Sequence, residues 1–149
     1  MKSACIAIAV LGATIATTAV AQHKPESVIH YRQSLMTVIG WNLGAMAEMV
    51  KGKTPWDTQQ FTQRAEHLES LAPQIPEGFT KGSDKGAKTD AKAGVWSNPD
   101  DFHAKADDLV TETKALVAAT KTGDADKMKQ QFKQTAHACK ACHDKYKAD

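Results

Sequence analysis

An all-α, antiparallel four-helix bundle is the fold class this sequence predicts, with one long crossover between its second and third helices. Three observations predict it. Apolar residues recur at steps of three and four along most of the chain, and no β-branched alternating run appears. Proline, asparagine and aspartate stand where helices would start, and glycine stands near a stop. Of the three breaks between periodic stretches, two are short and one is long, as in a bundle with a single crossover.

The first helix is expected from Pro25 to about Lys51, with Val28, Arg32, Leu35, Met36, Ile39, Leu43, Met46 and Val50 on one face. Pro25 suits a first helical position, Glu26 suits the first turn, and Gly52 suits the stop. Thr54-Pro55-Trp56-Asp57 reads as a turn. Asp57 then caps a second helix whose stripe is Phe61, Ala65, Leu68 and Leu71, ended by Pro73 and Pro76. Pro73 to Ser97 shows no period and is read as the crossover loop; connections of that length are usually functional or mobile. Asn98-Pro99 opens the third helix, with Asn98 at the cap, Asp100 and Asp101 in the first turn, and a face of Phe102, Ala106, Leu109, Thr113, Leu116 and Val117. Thr122-Gly123-Asp124 turns the chain into a fourth helix. Its face carries Met128, Phe132, Thr135, Ala136, Cys139, Cys142, His143 and Tyr146.

Residues 1–21 are set apart from this pattern. Lys2, an apolar run from Ile6 to Ala16 and Ala19-Val20-Ala21 read as a secretory signal with its cleavage site. The expected domain is therefore 22–149, and Cys5 is discarded with the signal. The apolar run is too short for a membrane anchor, so no membrane insertion is expected. A formal net charge of +2, with only Arg32 and Arg64 as arginines, makes nucleic acid a poor partner. Aromatic residues make up only 6% of the chain, so a small domain needs something else to fill its centre.

Cys139-Lys140-Ala141-Cys142-His143 supplies it. Two thiols three apart with a histidine directly after them form the c-type haem attachment signature. The thiols form thioethers with the haem vinyls. Residues 139, 142 and 143 share one side of a helix, so His143 can reach the iron. A thioredoxin-like pair would need a strand followed by a helix N-terminus. A zinc site would need further cysteines. A disulfide between residues three apart in a helix is strained. One covalent haem c in the bundle core is thus expected, and export agrees with it: the expected location is the periplasm.

A four-helix chain with its haem motif at the end of the last helix resembles the cytochrome c′ family. Besides the motif, Tyr31-Arg32-Gln33-Ser34, Lys51-Gly52-Lys53-Thr54-Pro55-Trp56-Asp57, Val95-Trp96 and Asp144-Lys145-Tyr146 carry the resemblance. It implies that Arg32 lies against a haem propionate with Gln33 beside it. It also implies that an acidic or hydroxyl residue of the crossover loop nears the haem edge, best matched by Asp84, with Ser83 before it. Arg32 makes sense without the family: it sits on an apolar face, where an unpaired charge is costly and a carboxylate is a suitable partner.

Function turns on the iron's sixth position. Met36 follows Arg32 by one turn. It can pack over a five-coordinate, high-spin iron and yield to NO or CO, or its sulfur can ligate and make a low-spin electron carrier like the cytochrome c-556 relatives. The context favours the five-coordinate state, with single-electron transfer to an unidentified redox partner. A peroxidase would need a distal acid–base residue, and Met36, Ile39 and Leu43 offer none, so no enzyme is expected. Lys147 shares a face with His143, where several family members place arginine; lysine lacks its planar fork. His23, His30, His67, His103 and His137 form no paired metal spacing. Finally, Ser34, Val38, Trp41 and Ala45 form a second stripe on the first helix, with Gly40 and Gly44 nearby, which predicts a homodimer through that helix.

Overall fold

The computed structural model describes residues 23–148. The expected secretory segment at 1–21, Cys5 included, lies outside the described residues. Among the described residues, four long helices form the bundle: α1 (Pro25–Val50), α2 (Thr58–Leu71), α4 (Pro99–Thr120) and α5 (Ala125–Tyr146). A single helical turn, α3 (Gly94–Ser97), precedes α4.

The starts follow local chemistry. Asp57 accepts the Gln60 backbone N–H at 2.9 Å, and Asp124 accepts those of Asp126 and Lys127 at 2.9 and 3.2 Å. Asn98 stands at the expected cap of α4 but does not cap it. Its amide instead donates to Ser97 Oγ and the Gly94 carbonyl, because α3 ends directly beneath it.

The crossover is more ordered than its composition suggests. Pro73 and Pro76 stop α2 but continue as a 3₁₀ segment, Ala72–Phe79, which buries Ala72, Ile75 and Gly78. Proline lacks an N–H yet holds a helical φ, so it fits a turn that needs few donors. Further on, Ala91 bridges Lys147: Lys92 N–H donates to the Tyr146 carbonyl at 2.9 Å, and Ala148 N–H to the Asp90 carbonyl at 2.7 Å. The crossover is thereby tied to the chain just beyond α5.

Phe61, Met46, Leu116 and Met128 are fully buried at the centre of one half of the bundle, where fully burying such a side chain is worth about 1.5–3 kcal/mol. Trp56, Phe61 and Phe132 stack there, with centroids 4.8 and 6.1 Å apart. α1 packs on α2 and the 3₁₀ segment, whereas α5 packs on α4. The space between α1 and α5 is not closed by side chains. Met36, Leu43, Cys139 and Cys142 lie on apolar stripes yet are only half-buried, because they face that space. No helix of the described residues is long and apolar enough to cross a membrane.

Candidate functional site

The space is a cavity of about 380 Å³, within the range of small-molecule and cofactor sites. α1 contributes Arg32, Gln33, Met36, Ile39, Gly40 and Leu43. α5 contributes Cys139, Cys142 and His143, followed by Tyr146 and Lys147. α4 adds Phe102, Lys105 and Leu109, and the crossover adds Thr89, Asp90 and Ala91. Six of the seven residues singled out from the sequence thus meet at one place.

Asp84 is the exception. It is exposed and does not line the cavity. The turn that closes with Ser83 N–H on the Thr80 carbonyl tucks Ser83 under Arg32 and leaves Asp84 facing outward. The crossover holds a second hydroxyl–acid pair, Thr89-Asp90, and that pair reaches the cavity. Choosing between the two needs the path of the loop, since Thr89 meets Arg32 across 57 positions of sequence.

Arg32 is 3% exposed. Its Nη1 donates to the Gly78 carbonyl at 3.1 Å and to the Ser83 carbonyl and hydroxyl at 2.9 and 3.3 Å; its Nη2 donates to Thr89 Oγ1 at 2.6 Å. The Phe79 and Trp96 rings flank the guanidinium, with centroids 5.2 and 5.6 Å away. All of these partners are neutral, and burial pushes the Arg32 pKa down. A buried cation without a counter-charge, on the wall of a cavity, suits an anionic group inside it. Thr89 Oγ1 also accepts from Ala91 N–H at 3.2 Å, so its own O–H remains to donate. Gln33 Nε2 donates to the Lys88 carbonyl at 3.0 Å, which pins the same stretch to α1.

At the α5 wall the donor set is neutral. Burial pushes the Cys139 thiol up to about 11, with Cys142 adding to the shift, and burial also raises Cys142. Both cysteines are free thiols. His143 is lowered, first by desolvation and then by nearby Lys147, which favours the neutral imidazole that binds metals. Beyond it, Tyr146 donates its hydroxyl to Asp101, and Lys145 Nζ lies 2.9 Å from the same carboxylate. These contacts anchor the end of α5 to the start of α4. Two thiols and an imidazole on one helix, an apolar interior and a cation at the rim fit a covalently held haem with its propionate.

Family comparison agrees with that fit. Residues 27–147 match the family described as Cytochrome C′. Cytochrome c′ of Rubrivivax gelatinosus is 40% identical over 124 residues, covering 83% of this chain and 96% of that protein. Its crystal structure superposes with a TM-score of 0.79, covering 83% of this chain and 97% of that one. A nitric oxide complex of a leucine-to-isoleucine variant of cytochrome c′ from Alcaligenes xylosoxidans is 34% identical, with a TM-score of 0.77 over 85% of this chain and 98% of that one. Cytochrome c-556 of Agrobacterium fabrum is 31% identical over 119 residues, 80% of each protein. This chain is a four-helix haem c protein of the class whose haem is held covalently through cysteines. It belongs to the cytochrome c′ family.

Proposed function

We propose that this chain is an exported, periplasmic haem c protein with a five-coordinate, high-spin iron, which binds NO or CO and can pass single electrons. The observation that carries this reading is the contrast between two walls of one cavity. α5 offers two thiols and an imidazole, while α1 around Met36 offers Ile39, Gly40 and Leu43 together with Thr37, whose hydroxyl donates to the Gln33 carbonyl at 2.8 Å. In this reading Cys139 and Cys142 form the thioethers and His143 holds the iron. Arg32, with Thr89 and Gln33 beside it, receives a propionate. The haem, when bound, supplies a redox-active iron that takes up diatomic ligands. Met36 and its apolar neighbours keep water and anions out of the distal space and yield to small neutral molecules. None of those side chains is a general acid or base, so the reading is ligand binding rather than peroxide chemistry.

A second reading has support of its own. Met36 is a thioether on the cavity wall, and a cytochrome c-556 is among the relatives, so Met36 as sixth ligand would give a low-spin electron carrier. Absorption spectra of the ferric and ferrous protein separate the two. A high-spin spectrum that changes on adding CO supports the first reading; a sharp low-spin spectrum indifferent to CO supports the second.

The domain is proposed to be residues 22–149, released after Ala21. A mature mass that begins at Gln22 tests this. The chain is also proposed to dimerise through α1, where Trp41 is 75% and Val38 47% exposed. Trp41→Glu is expected to halve the sedimentation mass, and an unchanged mass removes the dimer.

A further inference from the structure

We infer that Asp90 and Lys92 of the crossover are positioning residues for His143: they cap the end of α5 from another part of the chain and so fix the imidazole in its place. This rests on the five-coordinate reading above, with His143 on the iron. The last four carbonyls of a helix have no partner inside it, and an end without substitutes frays. His143 stands in that last turn, since α5 ends at Tyr146.

The other long helices close by themselves. Gly52 and Gly123, at φ 70° and 71°, follow α1 and α4, and their N–H groups donate to the Met49 and Thr120 carbonyls at 3.1 and 3.2 Å. α2 runs on into the 3₁₀ segment. After α5 there is no glycine. Lys147 follows in an extended conformation, φ −110° and ψ 134°, and its N–H on the His143 carbonyl, at 2.9 Å, is the last helical bond. The carbonyls beyond His143 turn to the crossover. Lys92 N–H donates to that of Tyr146 at 2.9 Å, and Lys92 Nζ to that of Asp144 at 3.4 Å. Ala148 N–H completes the bridge on the Asp90 carbonyl at 2.7 Å. The crossover has its own hold on α1, because Gln33 Nε2 donates to the Lys88 carbonyl at 3.0 Å. Thioethers at Cys139 and Cys142 restrain α5 only on the side before His143. Past it, the side chains of Lys145 and Tyr146 meet Asp101, which fixes where the helix end lies but pairs none of its carbonyls. The bridge to Asp90 and Lys92 does that, and groups that fix a ligand's surroundings set its aim at the metal.

The test is Ala148→Pro in the holoprotein. Proline removes the N–H that bonds Asp90, and the residue before it is already extended, as proline requires. In the CO form, amide hydrogen exchange at Tyr146 and Lys147 is expected to speed up by roughly two- to tenfold, which is one backbone hydrogen bond, with Phe132 unchanged. In the ferrous form, the iron–histidine stretching band in the resonance Raman spectrum is expected to broaden and move to lower frequency. A chain ending at Lys147 should do the same, and Ala148→Gly, which keeps the N–H, should keep the wild-type band. Unchanged exchange in Ala148→Pro overturns the inference. So does faster exchange with an unmoved band, which would leave the bridge holding the helix but not the ligand. An equal shift in Ala148→Gly also overturns it, because the bond would then not be the cause. A ferrous wild type without an iron–histidine band removes the five-coordinate reading itself, and the inference with it, before any substitution is made.

Discussion

Replacing Gly78 by alanine is expected to destabilise the protein by about 2–4 kcal/mol, because the 3₁₀ segment and α1 touch there without room for a methyl group. The added Cβ would lie 2.5 Å from Arg32 Cβ and 3.1 Å from Arg32 Cα. Carbon atoms pack best at about 3.5–4.0 Å, so the two elements must part by about 1 Å. Overpacking of that kind costs about 1–3 kcal/mol. The same movement stretches the 3.1 Å bond from Arg32 Nη1 to the Gly78 carbonyl, and a hydrogen bond from a charged donor is worth about 1.5–3 kcal/mol. Only part of that is lost, since Ser83 and Thr89 still hold the guanidinium. Gly78 has no positive φ, so alanine adds no backbone strain to confuse the result. For a domain of this size the loss lowers Tm by about 10 °C. Thermal unfolding of the holoprotein, followed by far-UV circular dichroism, measures it. Gly44→Ala is the control, expected to gain about 1 kcal/mol because it lies mid-helix outside the cavity and its methyl meets nothing. If Gly78→Ala unfolds within about 0.5 kcal/mol of wild type, or if both alanines shift stability the same way, the close approach is not what holds the crossover to α1.

Asp101 makes stability depend on acid. Bonds from Tyr146 and Lys145 hold its carboxyl below the ordinary 3.8, so the stability it contributes is present above that value and lost as pH falls through the depressed one. The Tm difference between wild type and Asp101→Asn should therefore shrink as pH drops below about 4, and a difference constant with pH contradicts the assignment. In protein made without haem attachment, Cys139 should alkylate about a hundredfold more slowly at pH 8 than an ordinary cysteine, because burial pushes its thiol up to about 11; mass spectrometry against an unstructured cysteine peptide in the same reaction reads this out. Thr89→Val should cost about 1–3 kcal/mol in urea unfolding, since it removes the 2.6 Å acceptor of Arg32 Nη2 without changing side-chain size.

Much of the bundle was legible because its signals are local. Pro25 starts α1, Asp57 and Asp124 cap α2 and α5, and the apolar stripes face inward as their period requires, buried except at several positions, chiefly those that line the cavity. The site was legible where one helix carries it: Cys139, Cys142 and His143 share a face by spacing alone. It was not legible where the crossover carries it. Ser83-Asp84 and Thr89-Asp90 are equivalent as residue types and both hydroxyls meet Arg32, and only the path of the loop decides that the second pair, not the first, lines the cavity. Lys105 entered the cavity wall unannounced, because nothing in its own helix marks it off from the other lysines.

By itself the amino-acid order determined the helices, the covalent attachment point and the side of α5 that faces inward, since each follows from interactions among residues within a turn or two of one another. Tertiary structure alone decided that a cavity stands between α1 and α5. It also decided that Arg32 is buried among neutral oxygens and that the crossover is strapped to the chain after Tyr146. Those features arise where segments 40 or more positions apart in sequence meet, as in the 46- and 57-residue spans from Arg32 to Gly78 and Thr89, and no local pattern encodes such a meeting.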